Sequence, residues 1–158
     1  STTDEMLSRT DRIEEIFAED GRIQITFRKD LLEGTVTEGF NAAQEALTAD
    51  GDIRLLTCFS SSVALGASNY IMSQTELNKD EFGVFGTEDN EDARAAIDGS
   101  LKGESVFRGL AGAGGENGPD YSMWECAHAL LFKEETAPYY IWDPCYVYNV
   151  FGYEMPAE

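Results

Sequence analysis

The first 59 residues constrain the fold more than any other stretch. They run through helical and strand periodicity twice, with a turn signal at each change. Thr2 and Glu5 have capping-box spacing, and Met6, Ile13, Ile16 and Phe17 share an apolar stripe, which predicts a helix over residues 3–19. Asp20-Gly21 ends it. Residues 22–28 then alternate, with Ile23, Ile25 and Phe27 on one side and Gln24 and Thr26 on the other, the pattern of a half-buried strand. Asp30 and Glu33 repeat the capping-box spacing. Val36, Phe40, Ala43 and Leu47 follow at steps of four, three and four, the best helical face in the chain. Asp50-Gly51 stops that helix, and residues 53–59 read as a second strand.

The periodicity is weaker beyond this point. Residues 60–72 mix small side chains with Val63, Leu65, Tyr70 and Ile71, and fit strand or helix alike. A short strand is expected at 82–85, then an acidic helix over 89–97 capped by Thr87, whose Asp89, Glu91 and Asp92 suit the positive end of a helix dipole. Val106 and Phe107 suggest a short strand. The glycines of 109–118 predict a mobile loop, since ordering them costs the most backbone entropy. Residues 123–132 and 139–151 supply the remaining apolar segments, the latter as two strands meeting at Asp143-Pro144.

With short strands and no helix between the last two, the expectation is a single acidic α+β domain over residues 1–158. Its sheet is expected to be mixed and largely antiparallel, with helices packed on one face; a small α/β sandwich is the competing architecture. The chain carries 30 acids against 11 bases, a net charge of -19 spread as -7, -6 and -6 over residues 1–50, 51–100 and 101–158. Such a field disfavours nucleic acid and anionic membrane, and favours a basic protein or basic peptide. A Lys-poor, acid-rich surface equally suits a protein working in high salt. Ser1 fits removal of an initiator methionine, and no apolar run reaches membrane length, so a cytoplasmic location is expected.

Motif tests return little chemistry. In the glycine segment Gly114-Gly115 is followed by Glu116 rather than Lys-Ser/Thr, so it does not form a phosphate loop. An EF-hand beginning at Asp89 would put Arg94 at position six and Ser100 at position twelve, and fails. Cys58, Cys126 and Cys145 form no CxxC pair and read as buried thiols. His128 shares a strand face with Cys126 and Trp124 if that segment is extended, and lies on a different face from Cys126 if it is helical. Glu125 and Asp143 are the only carboxylates set among aromatics. No catalytic residue, cofactor or metal is assigned.

The strongest lead is aromatic. Tyr139, Tyr140, Trp142, Tyr146, Tyr148, Phe151 and Tyr153 crowd the C-terminal end, with Trp124 upstream, and such side chains serve cores, pockets and interfaces alike. Trp124, His128, Tyr140, Trp142, Tyr146 and Tyr148 are the candidate pocket or interface residues. The sequence therefore favours a non-enzymatic interaction or regulatory domain binding a basic partner through its acidic surface, in one version as a nucleic-acid mimic. The alternative is a small-molecule sensor or carrier with an aromatic pocket, and a third class is a small enzyme of unspecified reaction.

Overall fold

A computed structural model describes residues 4–113 and 145–152, with side chains placed for 11–19, 21–112 and 147–152. The order of elements is α1 (Asp4–Asp20), α2 (Val36–Ala49), β1 (Leu55–Thr57), α3 (Ser61–Ser73), a 3-10 turn (Lys79–Glu81), β2 (Gly83–Thr87), α4 (Glu91–Ser100), β3 (Phe107–Ala113) and β4 (Cys145–Asn149). The strands form one sheet in the order β1-β2-β3-β4. β1 and β2 are parallel, β2 and β3 are parallel, and only β3 and β4 are antiparallel.

The expected largely antiparallel α+β sheet is thus corrected to a mostly parallel one. The physical reason lies in residues 60–72, which are helix α3. A helix there makes β1-α3-β2 a crossover, α4 makes β2-α4-β3 a second, and crossovers deliver parallel strands. α3 packs against β1, β2 and β3, while α4 packs against β3. The periodicity of α3 is hard to read because Ser61, Val63, Ala64, Gly66, Ala67, Ser68 and Ile71 are all buried, leaving no single apolar stripe.

Helix α2 begins five residues later than the Asp30–Glu33 spacing implies. Gly34 adopts φ 70°, which breaks any helix there, and the capping box is Thr35–Glu38. The Glu38 carboxylate accepts from the backbone amides of Leu32 (3.1 Å), Glu33 (3.1 Å) and Thr35 (3.2 Å). These bonds, led by that from Thr35, lower its pKa from the ordinary value. A carboxylate depressed in the folded state contributes stability above its unfolded pKa and loses that contribution as pH falls through the folded value. Glu38→Gln is therefore expected to lower Tm at pH 7 and to match wild type once both are well below about pH 4.5, the usual glutamate value. Thermal melts of both proteins between pH 7 and pH 3 check this, and a Tm gap that persists unchanged at pH 3 contradicts it.

The glycine-rich stretch is also corrected in its described part. Gly109 to Ala113 belong to β3, paired with β2 on one side and β4 on the other. At Gly109 β4 packs too close for a side chain, since a Cβ there would lie 2.8 Å from that of Asn149. Residues 114–118 lie outside the described residues. Thr87 closes β2 instead of capping a helix; the cap of α4 is Asn90, whose side chain accepts from Ala93 N–H at 2.9 Å.

Residues 22–28 belong to no strand of the described sheet, so the strand expected there is corrected to a segment without regular secondary structure. The core is formed by Ile71, Phe82, Val84, Ile97, Val106, Phe107 and Leu110 between α3, α4 and the sheet. Within it Ser68 and Ser105 share a hydrogen bond of 3.0 Å, tying α3 to the entry of β3. No described helix is long and apolar enough to cross a membrane.

Candidate functional site

In open parallel sheets the loops that leave the carboxyl ends of the strands gather on one edge, and helix N-termini with free amides converge there. Two such loops are built here. β1 runs through Phe59 into Ser60, which caps α3 by accepting from Val63 N–H at 3.3 Å. β2 runs through Thr87, Glu88 and Asp89 into Asn90, which caps α4.

The two loops are bonded to each other. Asn90 Nδ2 donates to Ser61 Oγ at 2.6 Å, and the Thr87 hydroxyl donates to the carbonyl of Phe59. Glu88 has φ 70°, the one positive φ at a non-glycine among the described residues, and its N–H donates to Ala111 O at 3.1 Å. Left-handed backbone at a bulky residue is strained and held by its surroundings. The neighbouring Asp89 takes two bonds from Arg94 Nε, at 2.7 and 2.9 Å.

Below this edge lies a cavity of about 690 Å³. One wall is α1 (Ile13, Phe17) with residues 22–31, and the other is the inner side of α2 (Ala43, Ala46) with β1. It reaches Phe59 and Thr87, so cavity and polar edge are continuous. Its charged wall residues balance, Glu14, Asp30, Asp50 and Asp52 against Arg22, Arg28, Lys29 and Arg54, although the chain as a whole carries -19. Half-buried Cys58 sits in the same wall, and desolvation pushes its thiol up to about 12, so it is neutral and a poor nucleophile at pH 7. Among the described residues no group of three or more His, Cys, Asp or Glu side chains is placed to hold a metal ion.

The residues singled out from the sequence fall elsewhere. Trp124, His128, Tyr140 and Trp142 lie outside the described residues, as do Glu125, Cys126 and Asp143, and Tyr146 is in β4 with its side chain likewise outside them. Tyr148 is in β4 and faces α4: its hydroxyl donates to Asp98 Oδ1 at 2.5 Å, and the Arg94 guanidinium lies 5.3 Å from its ring centroid. The bond to Asp98 raises the phenol above its ordinary pKa. Tyr148 does not line the cavity. Sequence reasoning assigned Ser60, Ser61 and Asn90 no role and Thr87 only that of a helix cap. Their signal was a strand end followed by a capping residue, twice, and it was hidden by the ambiguity of residues 60–72.

No family model matches the sequence, and no curated protein does. Solved structures do match the fold. A protein from Mycobacterium smegmatis is 15% identical with a TM-score of 0.69, over 94% of this chain and 47% of that one. An ABC transporter solute binding protein from Agrobacterium vitis, solved with bound allitol, is 16% identical with a TM-score of 0.67, over 89% and 48%. A 5-methylthioribose transporter solute binding protein from Thermotoga lettingae, in complex with 5-methylthioribose, is 17% identical with a TM-score of 0.69, over 91% and 44%. At these identities the likeness is one of fold, and the chain spans about half the length of each of these proteins. The expected acidic interaction domain and nucleic-acid mimic are corrected by this finding: the fold is one shared with solute-binding proteins.

Proposed function

We propose that the chain binds a small neutral polyhydroxylated solute at the carboxyl-end edge of its parallel strands, as part of a solute-carrying or solute-sensing protein. The observation that carries this is the cavity of about 690 Å³, whose lining reaches Phe59 and Thr87, the residues that lead into the capped starts of α3 and α4. That volume falls within the range of about 300–1,000 Å³ usual for small-molecule sites. Hydroxyl and carboxamide groups at the edge suit hydroxyl recognition, and the apolar wall below suits the carbon skeleton of the solute. The solutes named with two structures of the same fold, allitol and 5-methylthioribose, are both of this class. A neutral solute is favoured because the cavity wall offers no net positive charge and the whole chain repels anions.

The test is a titration of a pentitol, a hexitol and a 5-alkylthiopentose, each beside its phosphorylated counterpart, followed by calorimetry and amide chemical shifts. The neutral solutes are expected to shift Ser61, Thr87 and Asn90, with the phosphorylated forms binding at least about tenfold more weakly. No shift with any neutral solute, or equal binding of the phosphorylated forms, overturns the reading.

A further inference from the structure

The loop from β2 to α4 carries two polar groups of the proposed site, Thr87 and Asn90. Between them stand Glu88, with its strained φ of 70°, and Asp89. Strain of this kind persists only where the surroundings hold it. One hold is the bond from Glu88 N–H to Ala111 O of β3 at 3.1 Å. A second runs through side chains. The Asp89 carboxylate, only 11% exposed, is gripped by Arg94. Arg94 Nε donates to Oδ1 at 2.7 Å and to Oδ2 at 2.9 Å, and Nη2 also donates to Oδ2. This is the planar two-pronged contact that a guanidinium makes with a carboxylate and an ammonium cannot.

The same guanidinium lies over the Tyr148 ring of β4, 5.3 Å from its centroid and within cation–π range. Tyr148 is fixed in turn from two sides. Its backbone pairs with Leu110 of β3, and its hydroxyl donates to Asp98 Oδ1 at 2.5 Å, one turn beyond Arg94 on α4. Asp89, Arg94, Tyr148 and Asp98 thus form one run that joins loop, helix and strand. Glu88 ties the loop to β3, and Arg94 ties it to β4.

Helix stability does not account for an arginine at this place. The first turn of α4 is the positive end of the helix dipole, where acids such as Glu91 and Asp92 are favoured and a cation is not. Neither Arg94 nor Asp89 lines the cavity, so neither is placed to touch a solute held there. Their effect on the site must pass through the loop.

We propose that Arg94 is a positioning residue of the solute site: by linking Asp89 to Tyr148, it sets the loop in the conformation that presents Thr87 and Asn90 to the solute. Tyr148, which the sequence suggests as a pocket residue, acts on the site at one remove. The role in binding rests on the solute reading above; the clamp on the loop does not.

The test uses the full 158-residue chain, first without solute. Amide hydrogen exchange, read by NMR, is compared in wild type, Arg94→Met and Arg94→Lys. Methionine keeps an unbranched chain beside the Tyr148 ring but loses the fork; lysine keeps the charge. Arg94→Met is expected to speed exchange of Glu88 N–H by at least about tenfold, while Val84 and Leu110 exchange as in wild type and show the core intact. Arg94→Lys is also expected to exchange faster than wild type at Glu88, because an ammonium cannot bind both carboxylate oxygens edge-on while lying flat on a ring. Wild-type exchange at Glu88 in either variant overturns the proposal. Calorimetric titration follows, with the neutral polyol that wild type binds best. Its affinity is expected to fall about three- to tenfold in both variants. Unchanged affinity in a variant whose Glu88 amide has loosened overturns the positioning role. If wild type binds no polyol, the solute reading alone fails, and the Glu88 comparison still decides the clamp.

Discussion

Gly66→Ala is expected to destabilise the protein by about 3 kcal/mol or more, because no room exists for a single methyl group between α2 and α3. A Cβ at Gly66 would lie 2.0 Å from Val36 O and 2.7 Å from Phe40 N, both backbone atoms. The reciprocal position behaves alike: a Cβ at Gly39 would lie 2.2 Å from Val63 O. Backbone cannot rotate out of the way as a side chain can, so the helices must separate. Replacing a helical glycine by alanine gains roughly 1 kcal/mol of intrinsic propensity, too little to offset that separation. Gly39→Ala is expected to cost a similar amount. The double variant is expected to cost less than the sum, since one separation of α2 from α3 relieves both clashes. Gly51→Ala, with nothing within 4 Å of its Cβ, is the near-neutral control. Urea unfolding followed by circular dichroism measures all four. A loss below about 1 kcal/mol at Gly66 contradicts the close packing of these helices.

This pair of glycines also explains why the fold was only partly legible in the sequence. α1 and α2 announce themselves because each carries large apolar side chains at helical spacing, although the residues α2 buries fully are Gly39, Ala43 and Ala46. The acids Asp89, Glu91 and Asp92 mark the start of α4 even though its cap is Asn90 rather than Thr87. α3 sends no such signal. It is enclosed by α2 and by strands, so its packing uses Gly66, Ala64, Ala67 and Ser68, residues that a periodicity argument treats as loop or neutral. Misreading it removes a crossover, and the sheet then looks antiparallel. β3 misleads in the same way, since the glycines that suggest a loop admit a close neighbour strand.

The candidate site was less legible still. A helix cap such as Ser60 or Asn90 reads as punctuation, and nothing local says that two caps share one edge or that Asn90 reaches Ser61. The cavity takes its walls from α1, residues 22–31, α2 and β1, which no single motif spans. Charge misdirects as well. The net -19 suggests an acidic face, but four of the eleven bases line this cavity and neutralise its wall. Aromatic content drew attention to the C-terminal segment, where Tyr148 is engaged by Asp98 and Arg94 rather than by the cavity.

Phe107→Ala is expected to cost about 3–5 kcal/mol, the usual range for removing a buried aromatic ring, against total stabilities of about 5–15 kcal/mol for a domain of this kind. Phe107 is fully buried in β3 and belongs to the cluster formed with Ile71, Val84 and Leu110. Its ring also supports the candidate site. A Cβ placed on Gly86 would meet Phe107 Cζ at 3.2 Å and Ala64 Cβ at 3.0 Å, so ring, β2 and α3 are in contact one residue before Thr87. Truncation leaves a void beneath the end of β2, and the bond from Thr87 to Phe59 O loses the packing that positions it. A second effect is therefore expected beyond the loss of stability: at a temperature where the variant is still folded, its affinity for the solute falls. Phe82→Ala, also buried in the cluster but preceding β2 at its amino end, serves as the comparison. It is expected to lose stability on a similar scale while keeping solute affinity close to wild type. Chemical unfolding and calorimetric titration of the two variants separate these outcomes. Equal loss of affinity in both would mean that the site responds to global stability alone, and that the Phe107–Gly86 contact has no part in holding it.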